Sequence, residues 1–156
     1  MSTVKAVEGW TLEPLRRFVN EAGARLALLT TPSGQVIAQY GFTRAVDVMS
    51  AAALGAAIAA STGEINKMLQ EPRFRALNHQ GVEHGIYLGG CDTPRGPMLL
   101  LTVYGADSSV GLVQLFFEEL VRDLAAAAPA PAPQKPVLAA DFERELNESL
   151  AALFGR

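Results

Sequence analysis

The chain has 156 residues, 49% of them hydrophobic and 19% charged, which is typical of one globular domain that can bury its own core. A net charge of -3 and an aromatic content of 7% argue against a nucleic-acid partner, which would favour a basic, aromatic surface. The single cysteine, Cys91, excludes an internal disulfide, and the N-terminus has no apolar signal core, so we expect a cytoplasmic protein.

The first part of the chain predicts a helix followed by a β-hairpin. Residues 11–22 carry apolar side chains at helical spacing, and Gly23 is well placed to end this helix. Residues 25–31 are typical of a buried strand. Residues 35–40 show the two-residue alternation of a strand, and we interpret them as the second strand of a hairpin with 25–31. Between them, Pro32-Ser33-Gly34 supplies the turn.

A long helix is predicted over residues 47–71, ended by Pro72. Residues 48–63 carry no charge, yet this run is shorter than the roughly 20 residues that span a bilayer, so we expect no membrane insertion. A helix that is apolar all round is buried on more than one side. One side would cover the chain's own sheet, and the other would meet a second subunit, whose close approach small residues allow.

The second half predicts three strands over residues 73–79, 84–90 and 98–104, joined by turns at 80–83 and 91–97, and a helix over 109–127. Residues 1–10 then form an N-terminal segment, 11–128 a domain, 129–138 a Pro-rich linker and 139–156 an amphipathic helix. The stripe Phe142, Leu146, Leu150 and Leu153 should dock, either on this domain or on a partner.

No sequence motif indicates an active site, a cofactor or a metal. The patterns G-x-x-x-x-G-K-[ST], G-x-S-x-G and H-E-x-x-H are absent. His79, His84 and Cys91 match no standard zinc spacing, and the neighbouring Asp92 would raise the thiol pKa rather than activate it. The sequence therefore predicts a protein without catalytic, cofactor-binding or metal-binding residues of its own.

Four arginines could supply a positive charge to a partner's phosphates, as an arginine finger does. They are Arg44, Arg73, Arg75 and Arg95. Nothing in the sequence distinguishes one of them, and we interpret all four as solvated residues at strand ends and in loops.

Several local strings, taken in order, resemble the roadblock (dynein light chain) family and its bacterial MglB branch. Residues 27–37 (ALLTTPSGQVI) look like the first two strands with their turn. LQEPRF at 69–74, HQG at 79–81 and GIY at 85–87 resemble the end of the long helix and the next two strands. VGLVQL at 110–115 is similar to the segment that leads into the last helix.

This resemblance implies an α+β fold of order α-β-β-α-β-β-β-α. Its five-stranded antiparallel sheet would carry the long helix on one face and two helices on the other, with the amphipathic helix appended. It also implies a homodimer that binds a Ras-like GTPase of the MglA kind and accelerates GTP hydrolysis by repositioning the GTPase's own residues, without an arginine finger. The C-terminal helix would contact the GTPase through Phe142, Leu146 and Leu150.

The dimer interface and GTPase platform would lie on the long helix. The residues expected there are Met49, Ala53, Leu54, Ala57, Ile58, Ser61 and Ile65. One departure matters: the family tends to carry Ala-Gly-Asn where this chain has Ala56-Ala57-Ile58. The alternatives are therefore a roadblock scaffold that holds a GTPase or motor complex without changing turnover, and a small-molecule sensor, which would need a pocket with converging polar groups.

Overall fold

A computed structural model describes residues 3–71, 75–130 and 136–154, with side chains in the last range from residue 143 onward. The strands are β1 (Lys5–Ala6), β2 (Ala24–Thr30), β3 (Val36–Tyr40), β4 (Ala76–Gln80), β5 (Gly85–Thr93) and β6 (Gly96–Tyr104). The helices are α1 (Leu12–Ala22), α2 (Ala45–Met68), α3 (Val110–Ala127) and α4 (Pro136–Leu153), and a 3₁₀ turn (Gly9–Thr11) precedes α1.

The strands form one antiparallel sheet in the order β1-β3-β2-β6-β5-β4. The predicted α+β architecture is confirmed, and β6 is a central strand, between β2 and β5. The prediction of five strands was one short, because β1 pairs with the outer edge of β3. Two residues are too few to show the alternation by which a strand is recognised in a sequence.

The two faces of the sheet are covered unequally. In β2, Ala27 and Leu29 pack with α1 and α3 in the main core, whereas Leu28 packs on the opposite face under α2. The side chains of α1 and α3 in this main core are Leu15, Phe18, Val19, Ala22, Val113, Phe117, Leu120 and Leu124. Only Val48 and Ala52 of α2 belong to the smaller cluster around Leu28. The predicted division of helices between the faces is therefore confirmed.

Local signals fix the ends of the two helices in the main core. Gly23 ends α1 with a left-handed φ of 67°, as predicted, and its N–H donates to the carbonyl of Val19. Ser109 begins α3, where its hydroxyl accepts a hydrogen bond from the Leu112 N–H at 3.2 Å. These caps satisfy backbone groups that the helices themselves leave unpaired.

The turn predicted over residues 91–97 is wrong, because β5 continues to Thr93 and β6 resumes at Gly96. Gly96 has a φ of 111°, which suits glycine in a tight hairpin. The Thr93 hydroxyl donates to the Gly96 carbonyl at 2.7 Å and accepts the Arg95 N–H at 3.1 Å. The other predicted bounds shift by a few residues; α2, for example, runs from 45 to 68 rather than from 47 to 71.

Helix α4 begins at Pro136 rather than at the predicted residue 139, and proline is well tolerated at a first helical position. Leu146 and Leu150 remain roughly half exposed, and Leu153 and Phe154 are 79% and 77% exposed. The core clusters contain no described residue of α4.

Deletion of residues 129–156 is therefore expected to leave the domain folded, with little change in its midpoint of thermal unfolding. The removed side chains that the structure describes contribute nothing to the core, so the buried apolar area of the domain is retained. Differential scanning calorimetry of the truncated and full chains measures this. Loss of the cooperative transition would show that the tail belongs to the core.

Candidate functional site

Helix α2 buries only a narrow stripe against the sheet. Its buried residues are Val48, Ala52 and Gly55, which share one helical face. At Gly55 an added Cβ would lie 3.8 Å from Leu101 and 3.9 Å from Leu88, which shows how closely the helix backbone approaches the sheet. The rest of the helix surface, although apolar in sequence, faces outward.

All seven residues predicted for the platform lie at least partly in solvent. Met49 is 70% exposed, Leu54 64%, Ile65 54% and Ile58 41%. The small residues Ala53, Ala57 and Ser61 are also exposed, at four-residue intervals along the helix. Contiguous exposed apolar surface of this kind marks an interaction site more often than it marks a stable surface of a monomer.

Two polar side chains on this surface are already satisfied within the helix. The Ser61 hydroxyl donates to the Ala57 carbonyl at 2.8 Å, and the Thr62 hydroxyl donates to the Ile58 carbonyl at 2.9 Å. Hydroxyl groups that bond back to the preceding turn offer little to an external partner. The middle of α2 therefore presents an apolar surface, in spite of its serine and threonine.

The two flanks of α2 face different parts of the sheet. One flank, with Ala56, lies over the β2–β3 turn, where an added Cβ at Gly34 would be 3.6 Å from the Ala56 Cβ. Side chains two residues apart on a helix project to nearly opposite sides. The flank that carries Leu54, Ile58 and Ile65 is therefore turned away from this turn, towards β5 and β4.

Strand β4 is an open edge of the sheet and continues the apolar surface. Leu77 pairs with Leu88, which approaches Gly55 of α2, so Leu77 lies on the α2 face. Ile86 lies two residues before Leu88 and shares that face. Leu77 and Ile86 are 42% and 41% exposed.

We call Leu54, Ile58, Leu77 and Ile86 the edge surface. Its two strand members, Leu77 and Ile86, were not predicted from the sequence. The alternation of side chains along 76–80 and 85–89 could have indicated that Leu77 and Ile86 share a face of the sheet. It does not indicate which strand lies at the edge.

Three of the four candidate arginines are among the described residues, and these three lie outside the edge surface. Arg44 precedes α2 and pairs with Asp47 at 3.7 Å. Arg75 is exposed just before β4, and it lines an open cleft together with Ala60 of α2. Arg95 is exposed in the β5–β6 turn, and Arg73 lies outside the described residues.

The structure separates His79, His84 and Cys91, the three residues of the candidate metal site. His79 is on β4, and the Nε2 atom of His84 lies 2.9 Å from a guanidinium nitrogen of Arg25. Cys91 is near the far end of β5, where it pairs with Met98. Among the described residues, no three histidine, cysteine or acidic side chains are grouped to hold a metal ion.

Burial controls the ionisation of two groups beneath α3. Burial, with a smaller contribution from the Asp92 carboxylate, raises the pKa of the Cys91 thiol to about 11. Burial, with a smaller contribution from Glu118, raises the pKa of Tyr87 to about 12. The Tyr87 ring packs edge-on against Phe117. A thiol held protonated is a poor nucleophile, so Cys91 has a packing role.

We expect the free energy of unfolding to fall as the pH rises above about 9. The Cys91 pKa is raised from 9.0, so the folded chain retains a proton that the unfolded chain releases. The stabilisation is complete below pH 9 and is lost as the pH rises towards 11. Urea unfolding across this range, with Cys91→Ser for comparison, measures the effect. An equal pH dependence in the variant would contradict it.

The predicted contact stripe of α4 is only partly visible. Leu146 and Leu150 lie on the helix and are about half exposed, whereas the side chain of Phe142 is outside the described residues. The acidic residues Glu143, Glu145 and Glu148 are exposed on the same helix. This helix is therefore available to a partner, and its described apolar residues are not used by the core.

The order of elements, the helices on both faces and the exposed long helix define a roadblock-type interaction domain. Residues 11–104 match the Roadblock/LC7 domain family, and the chain belongs to this family. No curated protein sequence matches the chain significantly.

Solved structures similar to this chain include several MglB proteins. The gliding protein MglB from Thermus thermophilus is 30% identical with a TM-score of 0.67, over 77% of this chain and 89% of that one. MglB from Myxococcus xanthus is 26% identical with a TM-score of 0.63, over 70% and 87% of the two chains. A further MglB structure, described as having a tetrameric arrangement, is 30% identical with a TM-score of 0.66, over 76% and 87%.

Proposed function

We propose that this chain is a homodimeric regulator of a Ras-like small GTPase and stimulates GTP hydrolysis by repositioning the GTPase's own residues. The observation that carries the proposal is the uncharged, exposed apolar surface of α2, on a domain whose family and structural relatives are of the MglB kind. By length and composition alone α2 could cross a bilayer, but it packs on its own sheet, which favours a protein partner over lipid.

The edge surface fits a second copy of the chain. An open strand such as β4 offers unpaired backbone groups that an identical strand can pair with antiparallel. The same approach would bring two α2 helices side by side, because Leu54 and Ile58 face this edge. Such an interface is self-complementary, as a two-fold contact must be.

With a second copy on the edge surface, the flank of α2 that faces away from β4 stays accessible to the GTPase. Met49 and Ala53 lie on this flank. We propose that Met49 and Ala53 contact the GTPase, with α4 adding a second contact through Phe142, Leu146 and Leu150. Ala57 lies opposite the buried Gly55 and borders the edge surface, three residues from Leu54 along the helix, so we place it where the two α2 helices approach each other.

The proposed mechanism requires no arginine finger, and this can be tested directly. Loss of a finger lowers the rate of hydrolysis by about 10³–10⁵-fold. Arg44→Ala, Arg75→Ala and Arg95→Ala are expected to leave the stimulated rate within about twofold of the unsubstituted protein, far below that magnitude. A collapse in Arg75→Ala, whose side chain is near α2, would assign a finger to this chain.

The proposed function is tested by binding to a Ras-like GTPase from the same organism, loaded with either a GTP analogue or GDP. Preferential binding to the GTP-analogue form is expected. Met49→Arg should weaken it, because an unpaired charge would be buried against the partner. Ala126→Arg, an exposed helical position on α3, serves as the control. Equal binding by both substituted proteins would contradict the assignment of the α2 surface.

The scaffold alternative predicts the same binding without any change in turnover. The sensor alternative needs an enclosed pocket with converging polar groups. The cleft lined by Ala60, Arg75, Tyr87 and Phe117 is instead open to solvent. The structure thus offers a more specific basis for protein binding than for capture of a small molecule.

A further inference from the structure

The two edges of the sheet differ sharply in exposure. In β3, which would otherwise be an edge strand, Ile37 is 6% exposed and Ala38 1%. In β4, the strand at the opposite edge, four of the five residues are exposed. Two things contribute to this difference: α1 and α2 contact β3, and the N-terminal segment, residues 3–8, pairs with it through Lys5 and Ala6, whereas no described segment lies along β4.

The N-terminal segment is held by backbone pairing. Lys5 pairs with Gln39 and Ala6 with Ala38, and beyond them the Val7 N–H donates to the Ile37 carbonyl at 2.8 Å. In an antiparallel ladder, hydrogen-bonded and non-hydrogen-bonded pairs alternate. Val7 is therefore in a hydrogen-bonded position, whereas the N–H of Ala6 points away from β3.

Side-chain packing anchors the same segment. Val4, Ala6 and Trp10 pack against the main core. The fully buried Thr11 donates its hydroxyl hydrogen to the Glu8 carbonyl at 2.6 Å, which fixes the chain where it enters α1. The segment is therefore an ordered part of the domain that leaves β3 no free edge along its pairing region.

We propose that residues 3–8 act as an edge guard, which confines strand pairing between copies to β4. A sheet with two open edges can pair edge to edge without limit, and such contacts do not close. On the guarded side the sheet ends in β1, whose two residues are too short an edge for another strand to pair with stably. Pairing through β4 therefore uses the remaining long edge of both copies and ends at two. If the guard is removed, the occupant of the β3 edge is a strand of another copy. The limit of two copies per assembly rests on the proposed homodimer, but the covering of the β3 edge by residues 3–8 does not.

A matched pair of proline substitutions tests the edge guard. Val7→Pro removes the N–H that donates to Ile37, whereas Ala6→Pro removes an N–H that points to solvent, where proline is tolerated on an edge strand. Sedimentation velocity over a wide range of concentration compares both variants, and a deletion of residues 1–8, with the full chain. We expect Val7→Pro and the deletion to grow beyond the full chain's limiting mass, and Ala6→Pro to retain that mass.

Folded Val7→Pro and deletion variants that keep the limiting mass of the full chain would overturn the proposal. If neither variant folds, amide hydrogen exchange in the full chain tests whether the N-terminal segment covers β3. The Gln39 N–H faces Lys5 in a hydrogen-bonded pair, so this amide is protected only while the segment is in place. Slow exchange at Gln39 supports a covered edge, and exchange at the rate of an unpaired amide overturns it. The limiting mass of the full chain tests the homodimer separately. Failure of the homodimer proposal is therefore distinguishable from failure of the edge guard.

Discussion

Ala57→Arg is expected to convert the proposed two-copy assembly into monomers that remain folded. Ala57 is exposed at the middle of α2, on the side opposite Gly55, so the new side chain does not disturb the fold of one copy. In the assembly, two α2 helices would approach closely, and each would bury an unpaired guanidinium. A buried unpaired charge costs about 3–5 kcal/mol, which corresponds to at least a hundredfold weaker association.

Analytical ultracentrifugation measures this change, with Ala126→Arg as the matched control. Both substitutions replace an exposed helical alanine by arginine, but Ala126 is on α3, remote from α2 and the edge surface. The control should associate as the unsubstituted chain does. A dimer of unchanged stability in Ala57→Arg would exclude close packing of the α2 helices.

Leu100→Ala is expected to produce the largest loss of stability. Leu100 is fully buried in β6, the strand that pairs with both β2 and β5, and it packs in the main core under α1 and α3. Removing a buried leucine side chain leaves a cavity, which typically costs about 2–5 kcal/mol. For a domain of this size that is a large part of the total free energy of unfolding.

Leu115→Ala is the control for this experiment, because Leu115 is an exposed leucine on α3. Its loss should change the free energy of unfolding by less than about 1 kcal/mol. Urea denaturation, monitored by circular dichroism, compares the two variants. If Leu100→Ala were no more destabilising than Leu115→Ala, β6 would not be at the centre of the core.

The exposed surface of α2 could be predicted because the relevant signal lies within one helix. The run from Val48 to Gly63 has no charge, so apolar residues lie on every side of the helix. A single face packed on the sheet cannot bury them all, whatever the rest of the fold. The sequence could not predict which flank of α2 faces the β2–β3 turn and which faces β5 and β4. The orientation of α2 depends on the strand order, which sets Leu88 of β5 beneath Gly55 and leaves β4 at the edge.

The β5–β6 turn and strand β1 are the two places where local sequence patterns gave a wrong or missing prediction. Pro94 and Pro97 indicate a long turn, but Pro97 lies in β6 beyond the end of β2, which pairs only as far as Leu99. A missing N–H therefore costs no hydrogen bond there. In β1, the pairing of Lys5 and Ala6 is set by β3, a strand far along the chain, so no local pattern reveals it.

The most direct test of the proposed function is single-turnover GTP hydrolysis by a Ras-like GTPase from the same organism, with and without this protein. We expect faster hydrolysis with the unsubstituted chain and with Ala126→Arg, and the intrinsic rate with Met49→Arg. Binding to the GTP-loaded form without any acceleration would contradict stimulation and support the scaffold alternative. Absence of both binding and acceleration across the Ras-like GTPases of that organism would contradict the assignment to GTPase regulation.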